Sequence, residues 1–100
     1  MVPRYITTMI KSFRDRRAYA ILTGQFVRGL DHQVQQRART KLEVLDAAQD
    51  IQSLRAPPSN RLEKLSGDRA DQWSIRINGQ WRICFRWEDG PEDVEIVDYH

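Results

Sequence analysis

The last three residues of the chain carry side chains that can donate, accept or orient protons. Asp98, Tyr99 and His100 follow Val94-Glu95-Ile96-Val97, a run whose β-branched apolar residues are typical of a strand. Terminal residues usually fray unless a strand ties them into a sheet. We therefore predict a last strand from Val94 to His100 that holds these three side chains on a rigid edge.

The segment around Asn78-Gly79 predicts a hairpin whose register follows from its apolar pattern. A two-residue Asn-Gly loop would mix apolar and polar residues on each face. A three-residue loop, Asn78-Gly79-Gln80, gives one uniformly apolar face instead. We predict this second register, with strands from Trp73 to Ile77 and from Trp81 to Trp87. Its apolar pairs are Ile77 with Trp81, Ile75 with Ile83, and Trp73 with Phe85.

The other face of this hairpin brings arginines together. Arg76 is placed directly opposite Arg82, with Arg86 further along the same strand. Like charges opposite each other in a sheet cost about 0.2–1 kcal/mol. A bound phosphodiester would offset that cost, because the planar guanidinium grips phosphate oxygens in pairs. The alternative is that acids from the turn containing Glu88-Asp89 and Glu92-Asp93 neutralise the pair, and the pattern leaves both interpretations open.

If the last strand pairs beside Trp81 to Trp87, its terminal side chains arrive near the arginine face. RNA carries its own nucleophile, so cleaving it without a metal needs a base for the 2′-hydroxyl, an acid for the leaving 5′-oxygen, and cations for the phosphorane. His100 titrates nearest to neutral pH and suits either proton-transfer role. Asp98 and the terminal carboxylate can hold its protonated form, while Tyr99 can stack on a base or orient the phosphate.

Two helices and a short strand precede the hairpin. Residues 1–8 are interpreted as a weakly ordered extension, and Met9 to Phe13 alternates as a first strand does. Arg14 to Leu22 predicts a short helix that Gly24 ends. Asp31 is placed to cap a longer helix. The apolar face of that second helix carries Val34, Ala38, Leu42 and Leu45.

The remainder of the chain is predicted to be β structure. Ile51 and Leu54 continue the helical apolar face until Pro57-Pro58-Ser59-Asn60 ends it. Arg61 to Leu65 then predicts a strand, followed by a turn at Ser66-Gly67-Asp68. Helices followed by strands in 100 residues predict a single α+β domain.

Composition narrows the class of protein. Hydrophobic residues make up 40% and charged residues 30% of the chain, and no apolar stretch approaches the ~20 residues that a spanning helix needs. The net charge is +2, but residues 1–40 carry eight Arg and Lys against two acids. This excess of positive charge is typical of a surface that binds nucleic acid or an acidic partner, and equally of a basic helix face that is simply solvated. The single cysteine, Cys84, lies in an apolar strand pattern, so we predict that its thiol is buried and unreactive. A lone cysteine forms no internal disulfide, and we expect a cytoplasmic protein.

No metal or cofactor motif is present in the sequence. His32 and His100 are the only histidines, and the acids cluster in turns rather than at ligand spacing. We therefore predict no metal and no cofactor. His32 is expected at the surface, and the three tryptophans are expected to be core residues rather than base-stacking platforms. These are Trp73, Trp81 and Trp87.

From Met9 to His100 the chain resembles the HigB type of toxin in the RelE superfamily of bacterial toxin-antitoxin systems. The resemblance rests on five segments together, none of which is specific alone. They are Met9-Ile10-Lys11-Ser12-Phe13, Leu65-Ser66-Gly67-Asp68-Arg69, Trp73-Ser74-Ile75, Asn78-Gly79-Gln80-Trp81-Arg82 and Asp98-Tyr99-His100. It implies a RelE-like α+β fold, two N-terminal helices packed on a small twisted, mainly antiparallel sheet.

The resemblance also implies an activity and partners. Such a toxin cuts messenger RNA on the translating ribosome, in the A site of the 30S subunit, and a HigA-like helix-turn-helix antitoxin binds and inhibits it. Operator DNA is contacted only through that antitoxin, and no membrane is involved. The implied catalytic set is Arg82, Asp98, Tyr99 and His100, with Glu63 where some relatives have histidine; Arg69, Arg76 and Arg86 are expected to bind substrate. Ser66 replaces a lysine of some relatives, so the division of acid and base roles is open.

Two other functions fit parts of the pattern. A ParE-like member of the same superfamily would poison DNA gyrase and cut no RNA, but such members lack the terminal Asp-Tyr-His. A non-catalytic RNA-binding or interaction domain would use the basic half of the chain and tolerate changes in the tail. Mapping RNA ends after induction distinguishes both from a nuclease.

Overall fold

A computed structural model describes residues 9–99 of the chain. The predictions for the extension at residues 1–8 and for the side chain of His100 lie outside the described residues. Two α-helices and a four-stranded antiparallel sheet make up an α+β fold. The helices are α1 (Arg16–Leu22) and α2 (His32–Ala47), and the strands are β1 (Glu63–Lys64), β2 (Trp73–Arg76), β3 (Trp81–Trp87) and β4 (Pro91–Asp98).

Aspartates begin both helices, because a carboxylate at the N-cap accepts from backbone N–H groups that have no partner within the helix. Asp15 accepts from the N–H of Arg17, and Asp31 accepts from those of Gln33 and Val34. The prediction that Asp31 caps the longer helix is therefore confirmed. Beyond α2 the chain forms 3₁₀ turns at Ile51–Arg55 and Pro58–Asn60. The α-helix therefore ends at Ala47, well before the proline segment, and the predicted continuation through Ile51 and Leu54 is instead a separate 3₁₀ turn.

The core lies between the two helices and one face of the sheet. Every predicted core residue of α2 is buried, and the three tryptophans are partly buried and pack against this core. Burial of these apolar side chains is the main favourable term in folding. The principal contributors are Ala18, Ile21, Val34, Ala38, Leu42, Leu45, Ile75, Ile83, Phe85 and Ile96.

The sheet has the order β1-β2-β3-β4, and the predicted hairpin register is confirmed. Ile75 pairs with Ile83, and Arg76 pairs with Arg82. The side chain of Asn78 accepts from the N–H groups of Gln80 and Trp81, which closes the loop. Because paired residues share a face, the apolar partners define the buried side and the arginines define the other.

Five strand boundaries differ from the prediction, and two of them are the ends of β2 at Arg76 rather than Ile77 and of β4 at Asp98 rather than His100. The last strand begins at Pro91 rather than Val94, and a β-bulge between Cys84 and Arg86 lets the added residues pair. The strand predicted from Arg61 to Leu65 is reduced to β1, whose two residues pair with β2. Arg61 is excluded because its backbone adopts a left-handed conformation with φ 45°.

The predicted first strand, Met9 to Phe13, is not one of the four strands. It runs beside β4 in parallel, with a single bridge between Phe13 and Val94. The N–H of Lys11 donates to the carbonyl of Pro91, and that of Arg14 to the carbonyl of Val94. The alternating pattern therefore indicated an extended segment correctly, but its pairing is too short to count as a strand.

No helix within residues 9–99 is long and apolar enough to cross a membrane.

Candidate functional site

Arg82 is the central cation of the candidate site and is almost fully buried, with 7% of its surface exposed. Its Nε donates to Ser74 Oγ at 2.8 Å, and its Nη2 donates to the carbonyl oxygen of Arg61 at 2.7 Å. A buried guanidinium is tolerable only when such acceptors replace water. These bonds use Nε and Nη2 and fix the guanidinium in place, and among residues 9–99 no acceptor contacts Nη1.

Local backbone geometry aims the Arg61 carbonyl at Arg82. Arg61 follows the 3₁₀ turn Pro58–Asn60 and adopts φ 45°, a left-handed conformation that costs a non-glycine residue about 1–2 kcal/mol. Asn60, fully buried, donates to the carbonyls of Leu54 and Ala56 and so anchors the turn. The strained residue is therefore held in place by its neighbours.

Glu63 and Tyr99 lie beside Arg82 on the same face of the sheet. Glu63 Oε1 is 3.4 Å from Arg82 Nη2, an ion pair in which the carboxylate is 55% exposed. The Tyr99 ring centre is 5.4 Å from the Arg82 guanidinium carbon, within the range of a cation–π contact. The N–H of Tyr99 donates to the carbonyl of Gln80, which keeps the residue beside β3 beyond the end of β4.

These side chains line an open cleft of about 300 Å³. Three arginines and Glu63 supply its charge, and Tyr99 supplies a half-exposed aromatic face. Within residues 9–99, neither Arg61 nor Arg76 has a carboxylate at ion-pair distance, so the cleft carries an excess of positive charge. The lining residues are Arg61, Glu63, Arg76, Asn78, Gly79, Arg82 and Tyr99.

Asp98 is placed on the opposite face of the sheet from Arg82. Asp98 pairs with Trp81, whereas Arg82 pairs with Val97, and successive side chains of a strand point to opposite faces. Asp98 accepts a hydrogen bond from Gln80 Nε2 at 3.2 Å. The structure therefore brings Tyr99, but not Asp98, to Arg82.

The three predicted substrate-binding arginines have different surroundings. Arg76 lines the cleft, whereas Arg86 is held between Asp71 and Asp93, each at 3.3 Å, and does not line it. Asp93 and Asp71 raise the pKa of the Arg86 guanidinium. The alternative interpretation, in which acids of the turn containing Glu88-Asp89 and Glu92-Asp93 neutralise the Arg76–Arg82 pair, does not describe the ion pairs among residues 9–99: Asp93 of that turn pairs with Arg86, whereas Arg82 pairs with Glu63.

Arg69 borders the cleft from the other end. It lines a neighbouring space of about 280 Å³ that shares Glu63 and Tyr99 with the cleft around Arg82. Its Nη1 bonds Glu95 at 3.0 Å and Gln72 at 2.8 Å, and the bond to Glu95 raises its pKa. Ser66, the position where some relatives have lysine, lines the same space and supplies a hydroxyl but no charge.

Cys84 and His32 lie where the sequence predicts them. Cys84 is fully buried, and burial raises the pKa of its thiol. His32 is exposed at the start of α2, where its ring contacts Gln36 and Phe26. Among residues 9–99, no three His, Cys, Asp or Glu side chains group closely enough to hold a metal ion.

Sequence reasoning missed two groups that fix Arg82. The hairpin register pairs Ser74 with Cys84 and so places it diagonally from Arg82, but the sequence pattern gave its hydroxyl no role. The Arg61 carbonyl could not be predicted, because it depends on a left-handed residue between a turn and a strand. The first group was accessible from the register, whereas the second needed the folded chain.

The fold and this cation-rich cleft define a RelE-like α+β protein. Residues 11–100 match the family of HigB-like toxins, described as RelE-like toxins of the type II toxin-antitoxin system HigB. The chain belongs to this family. Membership implies an antitoxin partner.

Two relatives are similar along the chain. Toxin HigB-1 of Vibrio cholerae is 54% identical over 60 residues, which cover 60% of this chain and 63% of that toxin. The chain therefore matches less than two thirds of that relative. Endoribonuclease HigB of Proteus vulgaris is 32% identical over 93 residues, which cover 92% of this chain and all of the relative.

Proposed function

We propose that the chain is a ribosome-dependent mRNA endonuclease that inhibits translation by cleaving RNA through its 2′-hydroxyl without a metal ion. The observation that carries this proposal is the anchored Arg82, which shares one cleft with Glu63 and Tyr99. Arg76 lines the same cleft and has no acidic partner among residues 9–99. The name of the Proteus vulgaris relative, Endoribonuclease HigB, supports the same activity.

Four side chains of the cleft and two residues of the C-terminal tail are assigned roles in this reaction. Glu63 accepts the proton of the 2′-hydroxyl, whose oxygen attacks phosphorus while the bond to the 5′-oxygen breaks. Arg82 and Arg76 stabilise the charge that develops on the phosphorane oxygens, and Tyr99 stacks on a base. His100 protonates the leaving 5′-oxygen, and Asp98 is assigned to holding the protonated imidazole. The products are a 2′,3′-cyclic phosphate and a 5′-hydroxyl.

The proposed partners follow from the family and the cleft. Messenger RNA in the A site of the 30S subunit is the substrate, and the cytoplasm is the compartment in which translation supplies it. The antitoxin is a HigA-like helix-turn-helix protein, and operator DNA is bound only through it. Arg69 and Arg76 are assigned to substrate contact, whereas the ion pairs of Arg86 do not favour that role.

The proposal is tested by inducing the chain in cells and mapping RNA ends. Arg82→Ala and His100→Ala should each relieve growth inhibition and abolish new message ends, while co-purification with the antitoxin persists. Arg28→Ala, at an exposed loop arginine, is the matched control and should stay toxic. Because Arg82 is buried, thermal melts of the variants separate loss of the fold from loss of the reaction.

The same experiment separates the alternatives. Growth arrest with DNA damage and unchanged message ends would indicate a ParE-like gyrase poison. Full toxicity of both Arg82→Ala and His100→Ala would show that the site is assigned wrongly. Retained RNA binding without any cut ends would leave a non-catalytic binding domain.

A further inference from the structure

A second cleft, of about 280 Å³, lies beside the first and is lined by cations and hydroxyl groups. It is bounded by one side of α2, by the 3₁₀ turn Pro58–Asn60 and by the end of β2. None of its lining side chains is a carboxylate. The lining residues are Arg37, Thr40, Lys41, Ser59, Arg76 and Ile77.

The two cations from α2 are placed together at a cost. Arg37 and Lys41 are four residues apart, so they are neighbours on one helix face, where like charges disfavour the helix. Among residues 9–99, neither has a carboxylate at ion-pair distance, whereas Arg39 on the same helix pairs with Glu43 at 3.6 Å. The uncompensated charge of α2 is therefore concentrated toward this cleft.

Lys41 is held in position rather than free to move. Its ammonium donates to the side-chain oxygen of Asn60, the buried residue that also anchors the turn before Arg61. Burial lowers the pKa of Lys41 from its usual value. One of three ammonium donors is used by Asn60, so the others remain for an anion.

Arg76 joins the second cleft to the first. It lines both, and its guanidinium lies over the hairpin loop, 3.8 Å from where a Cβ on Gly79 would be. A chain with regularly spaced negative charges can therefore pass from Arg82 to Arg76 and on to Lys41. Among residues 9–99, Ile77 is the only apolar residue that lines this cleft, and it is 4% exposed, so a protein partner would find little apolar anchor there.

We propose that this second cleft binds the backbone phosphate next to the scissile one in a single-stranded RNA. Arg37, Lys41 and Arg76 supply the charge, and the hydroxyls of Thr40 and Ser59 can donate to phosphate oxygens. The inference rests on the proposed function, because it takes the first cleft to hold the scissile phosphate. Its role is to fix the register of the RNA and not to take part in the proton transfers.

The test combines a protein variant with an uncharged phosphate. A 2′-O-methyl RNA pentanucleotide, which cannot be cleaved, is compared with the same RNA carrying a methylphosphonate at each position in turn. Binding is measured by fluorescence anisotropy for the wild type, for Arg37→Gln and for the matched control Arg39→Gln on the same helix. Cleavage of ribosome-bound mRNA by each protein is followed in parallel.

We expect Arg37→Gln to weaken RNA binding about tenfold. The slope of the logarithm of the binding constant against the logarithm of the salt concentration should fall in magnitude by about 0.7, the value for one phosphate contact on a single strand. A methylphosphonate at one flanking position should weaken the wild type and Arg39→Gln by a similar factor. The same methylphosphonate should cost Arg37→Gln little, since the contact is already lost.

Three outcomes would overturn the inference. In the first, a methylphosphonate weakens RNA binding by Arg37→Gln equally at every position. In the second, the wild type does not bind the pentanucleotide. In the third, Arg37→Gln binds the antitoxin more weakly while its RNA affinity is unchanged. The last would assign the cleft to an acidic segment of the antitoxin. Cleavage of ribosome-bound mRNA is assayed separately. If the wild type cleaves the mRNA although one of these outcomes is found, the inference fails and the proposed function stands. If the wild type does not cleave the mRNA, the proposed function itself is refuted.

Discussion

The guanidinium carbon of Arg82 lies 5.4 Å from the centre of the Tyr99 ring. The first residue is buried in the middle of the sheet and the second is half-exposed just past its last strand. The Tyr99 ring therefore contacts the buried guanidinium on one side and solvent on the other. This relationship makes separate predictions for the two residues.

Replacing Tyr99 distinguishes the ring from its hydroxyl. Tyr99→Phe keeps the aromatic face and should change kcat/KM for RNA cleavage less than about twofold. Tyr99→Leu loses the cation–π contact and base stacking, each worth about 1 kcal/mol, and should lower kcat/KM about tenfold or more. Equal losses in both variants would instead assign the role to the phenol hydroxyl.

Arg82→Lys should behave nearly as poorly as Arg82→Ala in single-turnover cleavage. An ammonium cannot contact Ser74, the Arg61 carbonyl and a phosphate oxygen with the spacing of a planar guanidinium. We expect a loss of at least about 100-fold for both variants, since aligned charge stabilisation of this kind contributes several kcal/mol. Activity of Arg82→Lys near the wild-type level would show that only net charge matters.

Arg61 separates backbone strain from side-chain charge. Arg61→Gly and Arg61→Ala both remove a cation from the cleft, but only glycine adopts φ 45° without a steric penalty. Chemical denaturation should find Arg61→Gly more stable than Arg61→Ala, by up to about 1 kcal/mol after the greater backbone entropy of glycine is subtracted. The two variants should be equally impaired in RNA binding. If Ala proved the more stable, the left-handed conformation would not be a source of strain.

The assignment of Glu63 as base and His100 as acid is tested with a substrate whose 5′-bridging oxygen is sulfur. A thiolate leaves without protonation, so this substrate should restore much of the rate lost in His100→Ala but none of that lost in Glu63→Gln. The wild type, which has His100 to protonate the oxygen leaving group, should gain no more from the sulfur than Glu63→Gln does. Rescue of Glu63→Gln alone would reverse the two roles.

The sequence predicted the parts of this structure that depend on local pattern. The need for one buried face decides the hairpin register, and this register places Arg76 opposite Arg82. The cap at Asp31 and the apolar face of α2 followed in the same way from residue type and spacing. Such features are set by neighbours in sequence or by a single pairing.

The parts that were missed depend on how distant segments meet. The bulge beside Cys84 allows the last strand to begin at Pro91. The turn at Pro58–Asn60 places Asn60 beside Lys41, which lies 19 residues earlier in the chain. The separation of Asp98 from Arg82 was accessible from strand alternation, but the terminal Asp-Tyr-His was treated as one group. A strand divides consecutive residues between its two faces, and this division now makes Tyr99 the tail residue known to lie beside Arg82.

The central claim, cleavage through the 2′-hydroxyl, is tested most directly by the chemistry of the cut ends. The wild-type chain is mixed with ribosomes that carry either an all-ribose message or the same message with a single 2′-deoxy substitution at the cleaved position. The account predicts a 2′,3′-cyclic phosphate and a 5′-hydroxyl, and no cleavage of the deoxy message. Ends bearing a 5′-phosphate, or undiminished cleavage of the deoxy message, would contradict it.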